Sequence, residues 1–218
     1  IEPDGFASVA ELDAARAQHL AAVCEMFERL DVLVFTLGLT ETWRSKRDGA
    51  VFPLAPGVVA GEPDPNLYEF HNFTVAEVAA DLDTFLSRLR GVNPNAKVVL
   101  TVSPVPLIAT YEPQHVLVST THSKSVLRAA AGEIARAHPH VWYFPSYEIV
   151  TGTYSRGAYF ESDLRSVTAS GVDHVMRVFL AHCERGAVVD ADGYDAQLVA
   201  ESRRIMDVNC DEEAIVRG

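Results

Sequence analysis

The sequence predicts an α/β protein in which helices cover a parallel sheet in three α/β/α layers. Two observations carry that prediction. Helical and extended patterns alternate along the chain, which implies right-handed crossovers and a sandwiched parallel sheet. After Lys97, the run Val98-Val99-Leu100-Thr101-Val102 is free of charge and rich in β-branched residues, as a strand buried on both faces must be.

In chain order, Ser8-Val9-Ala10-Glu11 has the form of a capping box and opens a helix to about Leu30. Leu12, Ala15, Leu20, Val23, Phe27 and Leu30 recur near helical spacing. A strand, Asp31 to Leu37, follows at once. Residues 44–73 hold four prolines and several glycines and read as a long irregular loop over the strand ends. Thr74-Val75-Ala76-Glu77 is a second capping box, opening a helix to about Arg90. Asn93-Pro94-Asn95 turns the chain into the strand at 97–103.

A loop at 107–120 then leads to a helix at about 122–137. Val141–Phe144 is a short strand, Tyr147–Val150 a short helix, and Thr168–Cys183 a longer one. Residues 1–185 form the α/β domain. Residues 186–218 form an acidic appendage with one helix from about Tyr194 to Val208. Three strands are few for such a sheet, and the chain opens on a helix, so at least one further βα unit is expected ahead of Ile1.

At 218 residues the chain can bury a full core, and 48% hydrophobic with 22% charged residues is ordinary globular composition. A net charge of −12 disfavours nucleic acid and anionic membrane as partners. No run of about 18 apolar residues suggests a membrane span. Cys24, Cys183 and Cys210 are odd in number and widely spaced. They fit a reducing, cytoplasmic setting, with Cys24 and Cys183 as buried thiols. There is no phosphate-binding glycine loop and no metal-ligand spacing, so neither cofactor nor metal is expected.

The blocks TLGLTETW (36–43), NPNAKVVLTVSPVP (93–106), HSKSVL (122–127), YFPSYEI (143–149) and YFESDLRS (159–166) stand in an order that resembles the GSCFA family. That family belongs to the SGNH/GDSL-like hydrolases, with an SGNH/flavodoxin-like fold. The resemblance implies an acyl-ester hydrolase or acyltransferase acting on an acylated carbohydrate or small metabolite. It places Gly38 and Thr40 at the oxyanion hole and Asp163 at the aspartate of an Asp-x-x-His block. Two positions depart from the family pattern. The Gly-Ser-Cys-Phe-Ala string is absent, which assigns the nucleophile to a segment ahead of Ile1, and Ser166 stands where the histidine belongs.

The residues themselves nominate further candidates. Ser103 sits between a strand end and two prolines, where α/β sheets open onto ligand; the alternative is a serine that ties down its turn. His71, between aromatics in the long loop, is the preferred base, and His174 reads as a packing residue. Glu41 follows the Gly38–Thr40 turn and could position substrate. Ser123 and Lys124 are expected to begin a helix whose N-terminus would bind a carboxylate or acyl oxygen, or else Ser123 is a plain N-cap. A non-catalytic glycan- or protein-binding module on the same fold is the alternative function.

Overall fold

The protein's computed structural model describes residues 5–52, 54–58 and 61–184, and the chain divides into two units, residues 1–171 and 172–218. The expected helix at 194–208 lies outside the described residues.

Helix α1 (Val9–Arg29) starts at Ser8, whose hydroxyl accepts the Glu11 N–H. The reciprocal bond is displaced by one residue, from the Ala7 N–H to Glu11 Oε2. None of its residues is buried; only Phe27, with Leu30 just beyond the helix, packs against the core. Cys24 is therefore exposed, not the buried thiol expected, because the apolar spacing of this helix meets no second layer along most of its length. Asn93 anchors the end of α1 by donating to the carbonyls of Phe27 and Leu30 at 3.2 and 2.8 Å.

Strands β1 (Val32–Leu37), β5 (Lys97–Val102) and β6 (Val141–Tyr143) form a parallel sheet in the order β1-β5-β6. The middle strand is β5, and Val98, Leu100 and Val102 are fully buried, as the charge-free run predicts. They share a core with Leu82, Leu86 and Leu89 of α2 (Val75–Val92) and Val126, Leu127 and Ala130 of α3 (Val116–Ala137). Helix α2 carries the complete capping box between Thr74 and Glu77. Below β5's other residues, Thr101 is hydrogen-bonded to Ser146 at the start of α4 (Ser146–Thr151), and Ser146 also donates to the Val102 carbonyl. Among the described residues the last helix is α5 (Ala169–Glu184). The architecture is the α/β/α arrangement predicted.

Residues 44–73 are not irregular throughout. Strands β2 (Glu41–Ser45), β3 (Val51–Phe52) and β4 (Tyr68–Asn72) form a small antiparallel sheet in the order β3-β2-β4. Cross-strand partners explain it: Trp43 lies opposite Phe52 and Phe70, and Arg44 opposite Glu69, with Arg44 Nε 2.5 Å from the carboxylate. The two-residue β3 and the prolines between β3 and β4 hide this sheet in the sequence, although β4 itself alternates over Tyr68–His71.

Helix α3 begins six residues earlier than expected, with His115 as its N-cap. Ser123 and Lys124 are thus two turns inside it and fully buried, so neither caps the helix nor offers its N-terminus to an anion.

Candidate functional site

Parallel pairing brings the ends of β1 and β5 side by side, with Leu37 opposite Val102. The Ser103 N–H donates to the Leu37 carbonyl at 2.9 Å, so the two strand tips open together. From this point the chain turns through Gly38, Leu39 and Thr40 into β2.

That turn is held from beneath by α3. Thr40 is 1% exposed and bonded on three sides: its N–H donates to Ser123 Oγ at 2.9 Å, its hydroxyl to Asn72 Oδ1 at 2.7 Å, and its carbonyl accepts the Phe73 N–H at 3.0 Å. Lys124, also 1% exposed, donates from Nζ to the Gly38 carbonyl at 2.8 Å. Burial lowers the Lys124 ammonium from an ordinary lysine value to about 8. The Gly38–Leu39 peptide is planar and trans, so its N–H points opposite to its carbonyl. With that carbonyl fixed on Lys124, the Leu39 N–H is aimed away from α3. Gly38 is exposed, and a Cβ added there would meet open space. Among the described residues no neighbouring group requires a glycine at this position.

A second layer of bonds ties the turn to the segment before α3. Asn72 Nδ2 donates to Glu112. Glu41 accepts the Thr110 hydroxyl at 2.5 Å and the Tyr111 N–H at 3.1 Å, one on each carboxylate oxygen. Ser119, buried in α3, joins Thr110 and Gln114. Glu41 thus positions the 110–112 segment.

The chain belongs to the GSCFA family. The model of that family matches residues 6–179, a span that includes every element just described. No curated protein matches the sequence.

Among the candidates named from sequence in this GSCFA chain, Gly38, Thr40, Glu41, Ser123 and Lys124 converge on one turn. Ser103 joins them through its backbone, while its hydroxyl accepts the Val105 N–H and stabilises the proline turn. His71 lies in β4 next to Asn72, and strand alternation sends the two side chains to opposite faces. His71 Nε2 is 2.9 Å from Glu77 Oε1, and its ring packs edge-on against Phe73. Asp163 is exposed and engages its own turn: Oδ1 accepts the N–H groups of Arg165 and Ser166, and Oδ2 the Ser166 hydroxyl. The Ser166 hydroxyl and these amides hold its carboxyl below the usual carboxylate range. Of these contacts, the one to Oδ2 comes from the serine side chain at the Asp-x-x-His position.

Sequence reasoning missed Asn72 and the aromatic wall beside the turn. Trp43 stands edge-on to Tyr111 with ring centres 4.9 Å apart, and Phe70 lies 6.1 and 5.6 Å from the two. Alternation of Tyr68, Phe70 and Asn72 with Glu69 and His71 was the available signal.

Proposed function

We propose that this chain is an acyl-ester hydrolase of SGNH-like type, acting on an acylated carbohydrate or small metabolite. The observation that supports it is the 38–40 turn at the tips of two parallel strands, fixed by a buried hydroxyl and a buried ammonium. Ester cleavage passes through a tetrahedral oxyanion, and preorganised N–H donors lower that barrier most effectively when nothing must move to form them. Because the Thr40 N–H is engaged by Ser123, the donor assigned to the oxyanion is the Leu39 N–H, with Gly38 supplying clearance. A cation behind the Gly38 carbonyl strengthens the electrostatics of the same peptide. In the family pattern the attacking hydroxyl belongs to the Gly-Ser-Cys-Phe-Ala string, which this sequence does not contain, so none of its residues is assigned that role. Neither Asp163 nor His71 belongs to the proton relay in this scheme.

A fluorophosphonate probe applied to the full gene product tests the reading. Covalent labelling that is slowed by Gly38→Ala and Lys124→Met supports a serine hydrolase built on this turn. Absence of labelling favours the second reading, a non-catalytic glycan- or protein-binding module, which the Asp163–Ser166 turn also suits.

A further inference from the structure

The 38–40 turn leads directly into a cleft of about 170 Å³ between the antiparallel sheet and the segment before α3. Its walls include Trp43, Phe52, Leu54, Phe70, Leu107 and Tyr111, and Glu41 and Thr42 line it at the turn. We infer that this cleft is the acyl pocket of the site, taking a compact, uncharged acyl group of about six carbons or fewer. The identification of its ligand as part of an ester rests on the proposed function; the binding chemistry below does not.

Size sets the first limit. A cavity of about 150 Å³ lined by aliphatic and aromatic side chains admits a benzene-sized ligand, whereas drug-sized ligands need several hundred Å³. Long acyl chains and disaccharides are therefore too large to be enclosed. Ring geometry sets the second. Trp43, Phe70 and Tyr111 turn edges and tilted faces to one another, with interplanar angles of 83° for Trp43–Tyr111, 63° for Trp43–Phe70 and 35° for Phe70–Tyr111. They form a wall around an apolar group more than an open platform on which a sugar ring stacks.

Charge sets the third limit. Glu41 lines the cleft with its two oxygens held by Thr110 and Tyr111, so a free carboxylate would meet a fixed negative charge, while a neutral ester would not. Finally, the Trp43 indole N–H is buried and has no acceptor among the described residues. That nitrogen is out of reach from the cleft, so Trp43 lends its ring to the wall and its N–H serves as a reporter of what lies beside it. Continuity completes the case. Glu41 and Thr42 follow the 38–40 turn directly, so the cleft begins one residue beyond the turn assigned to the oxyanion.

The test uses equilibrium binding of methyl butanoate to the chain, read by NMR at the indole N–H resonances. The chain has two tryptophans, and Trp142→Phe assigns the Trp43 signal. Methyl butanoate is expected to shift the Trp43 resonance saturably, in the millimolar range. Ala109→Trp, which adds a ring at an exposed lining position, is expected to weaken that binding at least tenfold. Leu54→Trp fills the opposite wall and guards against a misfolded first variant. Butanoate ion is expected to bind at least tenfold more weakly than its methyl ester.

No saturable shift with methyl butanoate, an equal response to butanoate ion, or a stronger response to glucose than to the ester overturns the assignment. Binding without ester turnover by the full gene product would keep the cleft and remove the hydrolase reading. Turnover by that product with no ester binding at Trp43 would do the reverse.

Discussion

Lys124→Met gives the sharpest quantitative expectation, because it removes a buried charge while keeping a side chain of similar length. Lys124 titrates near 8 in the folded chain and at about 10.5 once unfolded. Between these values the unfolded chain binds more protons than the folded one, so raising the pH favours folding. The Lys124 contribution to stability is complete above the unfolded value and falls away as the pH drops toward 8. A difference of this size corresponds to roughly 3 kcal/mol across the window. Other groups titrate in the same range, so the observable is the stability of wild type minus that of Lys124→Met. Urea unfolding at several pH values supplies it, and that difference is expected to rise by roughly 3 kcal/mol from neutral pH to about pH 10.5. A flat difference would refute a buried ammonium on the Gly38 carbonyl, and a falling one would mean that the folded state raises the lysine's affinity for its proton.

Three further outcomes follow from the same geometry. Ser123→Ala leaves the buried Thr40 N–H without its acceptor and is expected to cost about 1–3 kcal/mol in urea unfolding; Ser123→Thr, which keeps the hydroxyl, should cost less. Asp163→Ala and His71→Ala are expected to leave ester turnover by the full gene product within about threefold of wild type, a shift below 1 kcal/mol in the barrier. A loss of a hundredfold or more at either position would return it to the mechanism. The Asp163 turn is expected to loosen in acid, since its lowered carboxyl pKa stabilises the fold above the usual carboxylate range and that stabilisation is lost as the pH falls through the lowered value. Hydrogen exchange at the Arg165 and Ser166 amides reads this directly.

Much of the frame was legible in sequence because its signals are local. The Thr74–Glu77 capping box, the charge-free β5 run and the Asn93-Pro94-Asn95 turn each encode their own geometry. The turn at 38–40 was likewise visible as a strand end. What could not be read was set by long-range partners. Ser123 looks like an N-cap because it follows a polar stretch, yet it is 83 residues from the Thr40 amide that it serves. Lys124 resembles any helical lysine until its burial against Gly38 is seen. The β2-β3-β4 sheet draws its stability from aromatic pairs between strands that lie apart in the sequence. In α1 the opposite happened: the apolar spacing was clear, but the helix buries none of its residues.

The decisive measurement is ester turnover by the full gene product carrying Gly38→Ala, set beside its thermal midpoint. A methyl at residue 38 enters open space at an ordinary backbone angle, so stability should hold or rise by about 0.4–1 kcal/mol. Turnover should fall about a hundredfold as the methyl crowds the oxyanion position beside the Leu39 N–H. Unchanged turnover, or a loss that merely tracks unfolding, would contradict the assignment of this turn to the chemistry.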